Sequence, residues 1–135
     1  MDSKNLANLS QLSGRAMLAA MFIMAGFSKI GGYAGTQAYM DSVGVPGLLL
    51  PAVIALEVIG GLAILAGYQT RIAAVLLAGF TLVAAFIFHS DFSQQMQVIL
   101  FSKNIAIAGA FLLLFAQGPG DWSLGARIQL RRAAA

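Results

Sequence analysis

LLLPAVIALEVIGGLAILAG, residues 48–67, decides the fold: an unbroken apolar run carrying one charge, Glu57. About 20 apolar residues is the length a helix needs to cross the hydrocarbon core of a bilayer. A carboxylate at that depth costs roughly 2.5–3.5 kcal/mol even on lenient insertion scales, so a residue kept there calls for a partner or a task. Pro51 falls in the first turn of this helix, where its missing N–H does no harm, and Gly67 closes it.

The rest of the chain repeats the pattern. Of 135 residues, 59% are hydrophobic and only 10% charged, against about 25% charged in soluble domains. Mean hydropathy is +0.83. These values predict a single all-α integral membrane domain, with four spans over about 14–32, 48–67, 71–89 and 98–117 arranged as an antiparallel four-transmembrane-helix bundle. Met, Phe and Ile follow the apolar centre of the first span where a signal peptide would carry small residues for cleavage, so the segment reads as a retained helix. Residues 33–47 form a polar, glycine-bearing connection in which Ala34 to Ser42 can lie as a short interfacial helix. Thr70 is the expected N-cap of the third helix, and Gly118-Pro119-Gly120 stops the fourth.

Composition also excludes chemistry. Cysteine is absent and there is one histidine, which removes thiolate catalysis, iron–sulfur ligation, bis-histidine haem and Cys-based zinc sites. No haem, cluster or metal is expected. The net charge of +3 comes from bases scattered at helix ends, not from a stripe, so nucleic acid is not an expected partner. With four spans, Lys4, Arg15, Arg71, Arg127, Arg131 and Arg132 share one side and Lys29 and Lys103 the other. The positive-inside rule then places both termini in the cytoplasm. Small residues four apart, Ala16 and Ala20, Ala63 and Gly67, Ala74 and Ala78, Ala106 and Ala110, suit close helix approach within lipid, or dimerisation. Tyr33 and Trp122 read as interfacial anchors.

This topology gathers polar residues in the outer half. Lys29 ends the first helix, Glu57 lies about nine residues into the second, His89 ends the third, and Lys103 and Asn104 stand near the start of the fourth, below Gln94, Gln95 and Gln97. Turned inward, they form an outward-opening pocket, with Glu57 paired to Lys29 or Lys103. Lys29, Glu57, His89, Lys103 and Asn104 are the candidate ligand-binding residues, with Glu57 as a proton relay and His89 as a second catalytic candidate. Plainer readings stand beside these: Lys29 as a snorkelling anchor, His89 as a helix cap, and Glu57 as half of a structural ion pair. Gly60 and Gly61 leave space on the face of Glu57 for either a neighbouring helix or a ligand.

The order of these features resembles the DoxX family of small four-helix bacterial inner-membrane proteins. Phe22, Gly26 and Lys29 come first, then Gly44-Val45-Pro46, Glu57 with Gly60-Gly61-Leu62, Gly67 with Thr70-Arg71, His89, Lys103-Asn104, Gly118-Pro119-Gly120 and Ser123-Leu124. One departure is Gly125, where relatives often carry an acid. The resemblance implies the four-helix fold and links to sulfur and quinol oxidation, quinone or electrophile stress, and complexes with redox enzymes. Three functions follow: a redox-associated accessory subunit holding a quinone or other amphipathic molecule, a solute or proton pathway, or a structural anchor for a partner enzyme.

Overall fold

A computed structural model describes residues 1–135. The chain is all-helical: α1 (Ser3–Gly31), α2 (Tyr33–Ser42), α3 (Leu50–Ala66), α4 (Thr70–Phe88), α5 (Gln95–Gln117) and α6 (Leu124–Ala133), with a short 3-10 turn at Gly47–Leu49 leading into α3. Three helices are each long and apolar enough to cross a membrane: α3 with its 3-10 turn, α4 and α5. A fourth candidate is α1 taken with α2, to which it is joined at a 98° bend. Large apolar side chains such as Met17, Met24, Ile59, Leu62, Val83, Phe86 and Leu113 are exposed along these helices, as expected where the surrounding solvent is lipid.

The elements end where the local chemistry stops them. Gly67 takes φ +69°, and the amides of Gly67 and Tyr68 bond back to the carbonyls of Ile64 and Ala63, a Schellman closure of α3. Gln69, not Thr70, is the N-cap of α4; Thr70 is its first helical residue. Asp41 accepts from the Gly47 amide at 2.7 Å, and Gln37 donates to the Gly47 carbonyl at 3.2 Å, which pins α2 to the entrance of α3. The loop between α4 and α5 is organised by Asp91. Its carboxylate accepts from the hydroxyl and amide of Ser93 and from Gln94, and the Ser93 bonds hold the carboxyl below the usual aspartate range.

Two helices differ from the sequence expectation. α1 begins at Ser3, about three turns before the expected span, and the tail after Ser123 is helical. Ser123 caps this α6 by accepting from the Ala126 amide at 3.2 Å, a signal that the apolar-run reading passed over.

α1 packs on α3 and α4 on α5, with α3 against α4. Phe22, Ile64, Ala74, Leu77, Ala78 and Phe111 form the buried centre with Ala19 and Ala73. Phe22 and Phe111 meet edge to face at 5.3 Å, a preferred aromatic geometry. Glycine makes the α1–α3 approach possible. A Cβ at Gly61 would lie 2.7 Å from Ile23 Cγ1 and 3.3 Å from the Ala19 carbonyl, and one at Gly26 would lie 2.5 Å from Val58 Cγ2. Of the expected small pairs, Ala74 and Ala78 are buried, whereas Ala20 and Ala106 are exposed.

Candidate functional site

Lys29, on the last turn of α1, meets Glu57, near the middle of α3, with Nζ 2.8 Å from Oε1. The Glu57 side chain is only 4% exposed and that of Lys29 28%. The pairing follows from helix geometry: Gly26 lies one turn before Lys29 and lets α1 settle against Val58 and the Cβ of Glu57, so the longer lysine crosses the seam. Gly60 and Gly61 both receive neighbouring helices, Leu77 of α4 against the first and Ile23 of α1 against the second. The space beside Glu57 is therefore helix-packing space on those sides.

The second carboxylate oxygen has a different fate. Glu57 Oε2 is buried with no hydrogen-bond partner, and Glu57 lines a cavity of about 510 Å³. A buried acceptor left unbonded costs on the order of 1–3 kcal/mol. The cavity lies between α1, α3 and α4, with α2 at one side and Asn104 of α5 at another. Its walls are mostly apolar, including Phe22, Val53, Phe80 and Phe88, and its polar groups come from Lys29, Thr36, Tyr39, Glu57, Thr81, His89 and Asn104. An apolar enclosure with a few convergent polar groups is the usual form of a small-molecule site.

Four of the five expected ligand-binding residues thus share this cavity: Lys29, Glu57, His89 and Asn104. Lys103 does not join them. It is exposed on α5, and it is Lys29 that pairs with Glu57, because the face of α5 turned to the core carries Ala108 and Phe111 and Lys103 is off that face. His89 Nδ1 lies 2.9 Å from Gln97 Oε1, and because an amide oxygen only accepts, Nδ1 is the donor. Asn104 Nδ2 donates to the Thr81 carbonyl at 3.4 Å, while the Thr81 hydroxyl donates to the Leu77 carbonyl.

Sequence reasoning missed Thr36, Tyr39, Met40 and Thr81 as lining residues. Tyr39 stacks near Phe88 at 5.5 Å, so the short interfacial helix forms part of the cavity wall. Thr36 and Tyr39 stand three apart on α2, a spacing that puts them on one helix face, and that was the available signal. A second omission is Arg15. It is buried, donates through Nη1 to the carbonyls of Ile64 and Leu65 at 3.3 and 3.2 Å, and through Nη2 to the Trp122 carbonyl. The residue read as a flanking charge ties α1 to the C-terminus of α3 and to the segment before α6.

A sequence profile of the DoxX family matches residues 10–90. The chain belongs to the DoxX family. The match runs from within α1 to just past the end of α4 and thus includes Lys29, Glu57 and His89. Among curated DoxX-like relatives, the inner membrane protein YqjF of Escherichia coli (strain K12) is 51% identical over 121 residues, covering 90% of this chain and 93% of the relative. The inner membrane protein YphA of the same organism is 42% identical over 123 residues, 86% and 88% of the two chains. CatD of Bacillus subtilis (strain 168), provisionally named an oxidoreductase, is 31% identical over 106 residues, 73% and 78%. No solved structure matches the chain.

Proposed function

We propose that this DoxX protein is a redox-associated accessory subunit of the bacterial inner membrane that holds a quinone, or an amphipathic molecule of similar size, in the cavity beside Glu57. The observation carrying this reading is a largely apolar cavity of about 510 Å³ whose wall brings Lys29, Glu57, His89 and Asn104 together. A quinone carbonyl would accept from the Lys29 ammonium, and the Glu57 carboxylate would accept from a hydroxyl of the reduced, quinol form. Glu57 serves as the proton relay when such a ring changes redox state, with His89 as the second exchanging group. The name of CatD is in keeping with redox work. The supporting architecture is four antiparallel spans, with α1 as the first and both termini cytoplasmic.

A pathway for solute or protons is less well supported. Between the cavity and the Gly67 end of the helices lies the buried cluster of Ile64, Ala74, Leu77 and Phe111, which offers a permeant no polar side chain.

The test is native mass spectrometry of the full chain purified from membranes, with extraction and identification of bound small molecules, on wild type and Glu57→Gln. A quinone-like species present in the wild type and lost or at least about tenfold depleted in the variant is expected, since one lost hydrogen bond to a charged group is worth about 1.5–3 kcal/mol. An empty cavity in both, with folding unchanged, would overturn the reading in favour of an anchor.

A further inference from the structure

The cavity beside Glu57 is polar within and apolar at its edge. Of its polar lining residues, Glu57 and Thr81 are buried, and Lys29, Thr36, His89 and Asn104 are only partly exposed. The lining residues with the largest exposed surface are Met21 of α1, Tyr39 of α2, Leu49 of the 3-10 turn, and Val83 and Ile87 of α4, at 41–57%. This rim carries no charged or amide group, and its one hydroxyl is that of Tyr39. A mouth opening on water would leave these side chains solvated at a cost proportional to their apolar area; where the surroundings are hydrocarbon, that cost vanishes.

The helix packing shows where the rim can admit a molecule. α1 packs on α3 and α4 on α5, so Met21 and the pair Val83 and Ile87 border the cavity from two helices that are not each other's packing partners. The α2 side is fastened instead. Gln37 and Asp41 bond to the Gly47 backbone, the Tyr39 ring meets that of Phe88, and Met40, a lining residue, is the one buried side chain of α2.

We propose that the cavity is filled sideways from the bilayer, between α1 and α4 past Met21, Val83 and Ile87, and that its ligand is a molecule dissolved in the hydrocarbon layer, not a solute of the surrounding water. The inference rests on the reading of this cavity as a ligand site. A molecule entering this way moves over apolar side chains until its polar atoms meet Lys29 and Glu57. Partition into lipid then selects the ligand before the polar groups do, since each methylene raises its concentration in the bilayer about fourfold. A compound of the same size that is charged or richly hydroxylated would have to shed its water at the rim, where nothing replaces it.

The experiment uses the full chain, which has no cysteine, in phosphatidylcholine nanodiscs, with one reporter thiol on the cavity wall. Val53→Cys places it one turn before Glu57 on the same face of α3. Two reagents are compared, bilayer-soluble N-cyclohexylmaleimide and a charged sulfonated maleimide, each rate divided by that with free glutathione. N-cyclohexylmaleimide should label Val53→Cys at least about tenfold faster, while Ser90→Cys, exposed in the α4–α5 loop, should react readily with the charged reagent. Met21→Trp and Val83→Trp, both at exposed positions, should slow the apolar reagent several-fold at unchanged Tm, which separates passage over the rim from direct attack out of the lipid. Ala84→Cys, on the α4 wall, repeats the test should Val53→Cys fold poorly. Equal labelling by the two reagents, or labelling that neither tryptophan slows, overturns the proposal. Added decylubiquinone should protect the thiol; if both tryptophans slow labelling but decylubiquinone does not, the side entrance stands and the quinone reading falls.

Discussion

At the scale of single residues, the buried charge of Glu57 is tolerable because Lys29 reaches it across the seam between α1 and α3. An ion pair of this kind is asymmetric in its energetics. Removing one member strands a charge in an apolar site and costs about 3–5 kcal/mol, whereas replacing both with well-packed apolar groups is often close to neutral. Lys29→Met should therefore destabilise the protein by about that amount in detergent unfolding, and Lys29→Met with Glu57→Leu should recover most of the loss. If the double variant is as unstable as the single one, the pair holds the fold by more than charge compensation. Glu57 was legible in the sequence because one carboxylate in a 20-residue apolar run is anomalous whatever the fold. Arg15 was not, since a base near a helix start reads as an interfacial charge, and only the folded chain brings the α3 terminus and the Trp122 carbonyl to it.

At the scale of elements, glycines divide into those that admit a neighbouring helix and those that admit nothing. Gly61 receives Ile23 and the Ala19 backbone, while Gly79 and Gly109 have no atom within 4 Å of a Cβ position. Overpacking a close contact costs about 1–3 kcal/mol, and a glycine in an open helix interior loses roughly 0.5–1 kcal/mol relative to alanine. Gly61→Leu should thus lower the unfolding temperature and separate α1 from α3, whereas Gly79→Ala and Gly109→Ala should leave it equal or higher. A Gly61→Leu protein as stable as the wild type would show that α1 is not held by this seam. The helices themselves were readable because apolar runs of this length have few alternatives, and the stops at Gly67 and Gly118 are chemical. What was not readable was rotation about each helix axis. Lys103 and Lys29 look equivalent as candidate partners in sequence, and a turn of about 100° per residue decides that one pairs with Glu57 and the other is exposed. α6 escaped notice for another reason: it has no apolar run, only a capping serine followed by helix-forming residues.

At the scale of the whole molecule, the two ends differ in kind. One end carries the Lys29–Glu57 pair, His89 and the aromatic contact of Tyr39 with Phe88. The other carries Arg15 and Arg71, each donating to carbonyls at the C-terminal end of a helix, α3 and α5 respectively, where the helix dipole is negative. Two of the bases that would orient the chain in a membrane are thus also structural braces. Whether α1 crosses determines the geometry of the whole. With four spans Ser3 and Ala134 lie on the same side and Ser90, in the α4–α5 loop, on the other; with three spans and α1 lying outside the bilayer, Ser3 and Ala134 lie on opposite sides. The chain has no cysteine, so single replacements Ser3→Cys, Ser90→Cys and Ala134→Cys give a clean reading with a membrane-impermeant maleimide. The expected outcome is that intact spheroplasts label Ser90→Cys alone, and that Ser3→Cys and Ala134→Cys react only once the membrane is opened. Labelling of Ser3→Cys together with Ser90→Cys would remove α1 from the set of spans. The Lys29–Glu57 pair would then join a surface helix to a spanning one.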